Sequence, residues 1–124
     1  MTILEYNDTN SRSPYKAWFD RLNAEAAAKV TVAVTRMGQG NLSNAKSVGE
    51  GVQELRIDFG PGYRVYFGRD GAELIILVGG GTKQGQQGDI ATAKARWTDY
   101  KKRTAALKKK EEAKKGKKRA KKKK

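Results

Sequence analysis

The stretch LRIDFGPGYRVYFGRDGAELIILVGGGTK, residues 55–83, limits the possible folds more than any other part of the chain. It is dense in β-branched and aromatic residues, alternates apolar with polar, and is broken twice by turn residues. That pattern predicts three strands joined by two tight hairpins. Alternation puts Leu55, Ile57 and Phe59 on one face of the first strand and Glu54, Arg56 and Asp58 on the other. On the next strand Val65 and Phe67 oppose Arg64 and Tyr66. A hairpin must bring like faces together, because a slip of one residue inverts every side chain. A three-residue Gly60-Pro61-Gly62 loop does so. It pairs Phe59 with Tyr63, Ile57 with Val65, Leu55 with Phe67, Arg56 with Tyr66 and Asp58 with Arg64. Asp70-Gly71 signals a two-residue turn, pairing Phe67 with Leu74 and Val65 with Ile76. This register sends Ile75 and Leu77 to the face of Arg64 and Tyr66. That second face therefore needs a cover, from the last helix or from a partner.

The flanking segments supply helices. Residues 2–6 are a short β-prone run. Ser13-Pro14 reads as an N-cap followed by proline at the first helical position. Tyr15, Trp18, Phe19 and Leu22 then recur on one helical face. Asn23 caps a second helix with the stripe Ala26, Val30, Ala33, Val34 and Met37, stopped by Gly38 and Gly40. Residues 39–51, rich in Gly, Asn and Ser, read as a loop. Residues 79–88, GGGTKQGQQG, read as a second loop; they lack the P-loop spacing, so the glycines serve a sharp strand exit. Asp89 suits the start of a last helix. Its stripe is Ile90, Ala93, Trp97, Tyr100, Thr104 and Leu107. The helix-face aromatics Tyr15, Trp18, Phe19 and Trp97 read as core. The order is β-α-α-β-β-β-α: an α+β fold with a small antiparallel sheet on an N-terminal helix hairpin, plus a C-terminal helix.

Composition enters where charge must be located. The net charge is +14. Residues 101–124 carry 15 Lys or Arg against Glu111 and Glu112, a net of +13, while residues 1–100 are close to neutral. Hence residues 1–100 read as the folded domain and residues 101–124 as a lysine-rich extension, disordered or a fraying helix. Such an extension attracts phosphates without choosing a sequence. The chain has no Cys and no His. That removes disulfides, thiolate metal sites and imidazole chemistry. No metal or cofactor is expected. No apolar run reaches the roughly 20 residues of a membrane span, and no signal peptide opens the chain, so a cytoplasmic protein is the expectation.

The residues resemble the RelE/ParE superfamily of bacterial toxins, most closely the HigB-like branch of phage-derived or addiction-module killer proteins. The likeness is carried by Glu54-Leu55-Arg56, Gly62-Tyr63-Arg64-Val65-Tyr66-Phe67, the strand Leu74–Val78, Gly80 to Lys83, Gln87, Asp89-Ile90 and Ala93. It covers about residues 1–100. The superfamily contains ribosome-dependent mRNA endonucleases and gyrase poisons. Metal-free RNA cleavage needs a base for the 2′-OH, cations on the phosphate and an acid for the leaving 5′-oxygen. The resemblance implies that Arg64, Arg56 and Lys83 hold the phosphate, a task that suits the arginine fork.

Two positions depart from the pattern of the studied nucleases. Glu54 stands where they carry a second base, and Ile90 stands where many carry Tyr or His. Glu54 then becomes a candidate proton acceptor, and Tyr66 a candidate proton donor or stacking ring. The resemblance implies a type II toxin acting on mRNA at the ribosome, with a helix-turn-helix, HigA-like antitoxin as partner. Ile75 and Leu77 offer that antitoxin an apolar patch. Two further readings stand beside it. One is a ParE-like, non-enzymatic gyrase poison. The other is an inactive homologue whose tail binds nucleic acid.

Overall fold

The structure, a computed structural model, describes residues 1–122, with side-chain surroundings given through Lys114. The elements run β1 (Thr2–Glu5), α1 (Pro14–Phe19), α2 (Ala24–Gly38), β2 (Ala45–Gly49), β3 (Val52–Ile57), β4 (Tyr63–Arg69), β5 (Leu74–Thr82), a 3₁₀ turn (Lys83–Gly85) and α3 (Gln86–Lys122). The class is α+β, as the pattern predicts. Among the described residues no helix is long and apolar enough to cross a membrane.

The sheet has five strands in the order β1-β5-β4-β3-β2. It is mixed rather than wholly antiparallel, because β1 runs parallel to β5. The segment expected to be loop, residues 39–51, contains β2, which pairs antiparallel with β3. β2 alternates weakly and stays largely exposed, so its own residues carry little strand signal. Pairing to β3 creates it.

Local capping follows the sequence closely. The Ser13 hydroxyl accepts from the Lys16 amide, with Pro14 opening α1. The Asn23 side chain accepts from the Ala26 amide at the start of α2. At the other end Gly40 takes a φ of 96°. Gly40 N–H donates to the Met37 carbonyl and Asn41 N–H to the Arg36 carbonyl, both at 3.0 Å. This is a Schellman cap, which satisfies carbonyls the helix itself leaves free.

The hairpin registers differ from the expected ones. In the first, Ile57 pairs with Tyr63, Arg56 with Arg64, Leu55 with Val65 and Glu54 with Tyr66. The loop therefore runs from Asp58 to Gly62, with Gly60 and Gly62 at positive φ. A shift of two positions keeps every side chain on its expected face but changes every partner. Asp58 leaves the strand and no longer faces Arg64.

In the second hairpin Arg69 pairs with Ile75, Gly68 with Ile76 and Phe67 with Leu77. Here the loop has odd length where the Asp70-Gly71 turn predicts two residues, so the faces invert. Ile75 and Leu77 lie in the core beside Phe67, not beside Arg64 and Tyr66. They are almost fully buried and offer no docking patch. The reason is long-range: β1 pairs Ile3 with Ile75, and Ile3 packs in the same core.

A bulge at Val78 then shifts the pairing, so that Tyr66 faces Gly79 and Val65 faces Gly80. The glycine-rich stretch is thus the end of β5 and a short 3₁₀ turn, and α3 begins at Gln86, ahead of Asp89.

Two cores flank the sheet. One joins Leu55, Ile57, Val65, Phe67, Ile75 and Leu77 to Tyr15, Ala26, Val30 and Met37 of the helix hairpin. The other joins Val52, Tyr66, Ile76 and Val78 to Ala93 and Trp97 of α3, with Tyr6. So α3 supplies the cover that the second face needs. Its approach depends on Gly68, where a Cβ would overlap the Trp97 ring. Tyr6 and Tyr100 hydroxyls donate to Asp99 and Asp70 at 2.7 Å each, fixing the middle of α3. Leu107 is exposed, and α3 continues as helix through the lysine-rich segment to Lys122. Lys123 and Lys124 lie outside the described residues.

Candidate functional site

Beyond the α3 core, the second face of β3 and β4 carries the charged residues. Arg56 and Arg64 stand directly opposite each other. Like charges so placed repel. Glu54 resolves the conflict. Its Oε1 lies 3.3 Å from Arg56 Nε and 3.4 Å from Arg64 Nε. Its Oε2 accepts from Gln86 Nε2 at 2.7 Å. One buried carboxylate therefore serves two guanidiniums and the first residue of α3.

The two arginines differ in environment. The Arg56 side chain is 46% exposed, and that of Arg64 is 8% exposed. Arg64 Nη1 donates to the Tyr63 carbonyl at 3.1 Å, and its Nε meets Glu54 by charge rather than by a well-formed hydrogen bond. With two anchors and little free volume around it, the Arg64 head group is held in one place before any ligand arrives. Preorganisation of this kind is what anion stabilisation requires.

Arg64 and Lys83 line a cleft of about 400 Å³ with the Asp58–Gly62 loop. The Lys83 amide donates to the Gly62 carbonyl at 2.9 Å, which ties the end of β5 to that loop. Arg56 borders a second groove, of about 310 Å³, with Lys29, Arg36, Asn44, Asp58 and Phe59. Lys29 Nζ sits 5.6 Å above the Phe59 ring. Asp58 lines both depressions, is exposed, and makes no ion pair among the described residues.

The five residues singled out from the sequence therefore gather on one side of the sheet, with different exposures. Arg56, Arg64 and Glu54 form one cluster. Lys83 joins Arg64 at the cleft. Glu54 is fully buried, and its oxygens are already engaged. Tyr66 is 1% exposed and its hydroxyl has no hydrogen-bond partner. It has no face on which a base can stack. Burial first, and the nearby Glu54 and Asp89 charges second, push its pKa far above the ordinary tyrosine range. It stays a neutral hydroxyl. Ile90 packs at the edge of the α3 core.

Sequence reasoning missed Gln86 and Asp58. Gln86 sits in a run of glutamines with no period to distinguish it, and it meets Glu54 only because α3 starts earlier than Asp89 suggests. Asp58 was assigned to an ion pair that the register does away with. Among the described residues no group of three or more Asp, Glu, His or Cys could hold a metal ion.

A small α+β domain with an anchored arginine cluster beside an open basic cleft is the class that fold and site define. The model of the family described as phage derived protein Gp49-like matches residues 17–105, and the chain belongs to that family. It is a toxin-like family of addiction modules, whose members typically pair with an antitoxin. The match takes in both hairpins, the cleft and the core-forming part of α3. An uncharacterised protein of Haemophilus influenzae (strain ATCC 51907 / DSM 11121 / KW20 / Rd) is 43% identical to this chain over 81 residues, 64% of this chain and 82% of the relative.

Proposed function

We propose that this protein is the toxin of a type II toxin–antitoxin pair, of the HigB-like branch of the RelE/ParE superfamily, and that it cleaves mRNA on the ribosome without a metal. The observation that carries the reading is Arg64: a buried guanidinium, anchored to Glu54 and Tyr63, at the wall of a cleft it shares with Lys83. A group that pays for desolvation and is held this firmly suits charge that develops on a phosphate.

In this mechanism the 2′-oxygen of the substrate attacks the adjacent phosphorus. Arg64 and Lys83 hold the non-bridging oxygens, and Arg56 adds positive charge from the rim. The 2′-OH proton goes to a carboxylate. Asp58 suits that step better than Glu54, since it is free and exposed at the cleft. The P–O5′ bond breaks, and the Lys83 ammonium donates a proton to the departing 5′-oxygen. The products are a 2′,3′-cyclic phosphate and a 5′-hydroxyl. Glu54 acts as a positioning residue that keeps two like charges side by side. A small helix-turn-helix antitoxin, HigA-like, is the partner, and the cytoplasm, where translating ribosomes are, is the site of action.

The test is induced expression of wild type and of an Arg56→Ala/Arg64→Ala variant, with mRNA 5′-ends mapped. New ends inside translated frames, absent in the variant, are expected. Growth arrest with cleaved DNA and no new RNA ends would replace this reading with a gyrase poison. Equal cleavage by the variant would remove the arginines from the site.

A further inference from the structure

One polar cavity has no part in this chemistry. β1 pairs with β5 only as far as Leu77, which leaves the Gly79–Gly80 edge of β5 uncovered. There, between α1 and α3, lies a cavity of about 220 Å³ lined by Trp18, Arg21, Tyr66, Asp89, Thr92 and Arg96. Three successive glycines make room for its walls. A Cβ at Gly79 would fall 2.6 Å from Arg96 Nη1, while one at Gly80 would overlap the Trp18 ring and one at Gly81 the Asp89 carboxylate.

The charges in this cavity do not satisfy each other. Arg96 Nη1 donates to the Val78 carbonyl at 2.9 Å, its one hydrogen bond among the described residues. Asp89 makes no hydrogen bond and no ion pair among those residues. The Tyr66 hydroxyl, buried in the same wall, has no partner. Burial pushes Asp89 up and Arg96 down from their ordinary pKa ranges. A carboxylate and a guanidinium that share a cavity without meeting are costly unless a ligand bridges them.

Such a ligand must donate to Asp89 and accept from Arg96 beside a flat indole. Guanine has this pattern: N1–H and the 2-amino group donate, O6 and N7 accept. Adenine puts the lone pair of N1 where guanine has a donor, and the Asp89 carboxylate repels it. The volume lies below the roughly 300–1,000 Å³ of drug-sized sites and suits one base. Exposed bases stacked on aromatic rings are the usual mode of single-stranded RNA recognition. Tyr66 and Arg64 lie two residues apart on one face of β4, about 7 Å, so cavity and phosphate cleft are within one nucleotide's reach.

We propose that the cavity formed by Trp18, Asp89 and Arg96 at the open edge of β5 is a guanine-binding subsite, which selects RNA carrying a guanine next to the phosphate held by Arg64. This rests on the mRNA reading above, but binding can be measured without cleavage.

The experiment uses the full chain and four labelled 2′-O-methyl hexanucleotides, UUNUUU with N = G, A, C or U, read by fluorescence anisotropy. The methyl group removes the nucleophile, so only binding is observed. The guanine oligonucleotide should bind about tenfold tighter than the others. Asp89→Asn and Arg96→Gln, each checked for folding by circular dichroism, should reduce that preference to about twofold or less. Arg64→Ala should weaken all four alike. Equal binding of the four, or a preference that survives both cavity variants, overturns the subsite. If no oligonucleotide binds, the RNA reading itself fails. NMR titration with guanosine and adenosine monophosphates then decides the cavity alone. Shifts at Gly79–Gly81 and the Trp18 indole with the guanosine form only would keep a guanine site, and no shifts would end it.

Discussion

Glu54 Oε1 lies 3.4 Å from Arg64 Nε, with both side chains almost wholly out of solvent. The same oxygen sits 3.3 Å from Arg56 Nε, so two opposed arginines on neighbouring strands share one counter-charge. The site depends on this relationship more than on any single cation.

Glu54→Ala should therefore damage the fold and the site together. It leaves Arg64 buried without its carboxylate, and breaking such a pair costs about 3–5 kcal/mol. Urea unfolding should show the loss as a lower midpoint. Glu54→Gln, which keeps the hydrogen bonding but not the charge, should fall between. Wild-type stability in Glu54→Ala would mean that the arginines are solvated and not held.

Arg64→Lys tests the fork rather than the charge. Lysine keeps the cation but cannot hold the Tyr63 carbonyl and a phosphate at once. Cleavage should fall by about 100-fold, close to the loss in Arg64→Ala, because one preorganised donor contributes on that order. Near-normal cleavage by the lysine variant would show that charge alone suffices.

Alkaline pH should destabilise the protein through its buried tyrosines. Burial, with a smaller push from the Glu5 charge, raises the Tyr15 pKa to about 12, and Tyr66 is raised further. An unfolded tyrosine titrates near 10. Above about pH 10 the unfolded chain loses protons that the folded chain keeps, so stability is full below that pH and falls above it. The slope is at most about 1.4 kcal/mol per pH unit for each such tyrosine. Thermal midpoints at pH 9 and pH 11 should show the drop, and Tyr15→Phe should make it shallower. A flat profile would contradict the burial of both hydroxyls.

Glycine substitutions should separate close packing from simple helix propensity. At Gly68 and Gly80 a Cβ would overlap Trp97 and Trp18. Alanine at either should cost about 1–3 kcal/mol by overpacking. Gly88, in the first turn of α3, has nothing within 4 Å. Alanine there should raise stability by about 0.5–1 kcal/mol. Melting temperatures of the three variants test the order, and a neutral Gly80→Ala would refute the approach of Trp18 to β5.

Deleting residues 108–124 should leave the core intact, since the last core side chains on α3 precede Leu107, which is itself exposed. Non-specific nucleic-acid affinity should fall and its salt dependence flatten, as fewer counterions are released. Retained toxicity of the shortened chain would separate the tail from the site, and lost toxicity would join them.

The residues by themselves determined the local structure. Ser13, Asn23 and Gly40 act within one turn of where they stand, so the caps and boundaries of α1 and α2 could be read directly. The division of Leu55, Ile57, Val65 and Phe67 from Glu54, Arg56, Arg64 and Tyr66 follows from strand period alone. It therefore survived a wrong loop length in the first hairpin. The two-residue error there kept the faces and lost the partners, which hid the Arg56–Arg64 opposition and the freedom of Asp58.

The tertiary structure decided what depends on parity and distance. The second hairpin loop is odd, not even, because β1 and the core claim Ile75 and Leu77. No local turn signal weighs a contact more than seventy residues away along the chain. β2 exists through its pairing to β3. Gln86 reaches Glu54, and Asp89 shares a cavity with Arg96 without pairing, only once α3 lies across the sheet on glycines with no side chain to block it. Period and capping act over a few residues and are written in them. Register and shared counter-charges arise only when distant segments compete for the same space.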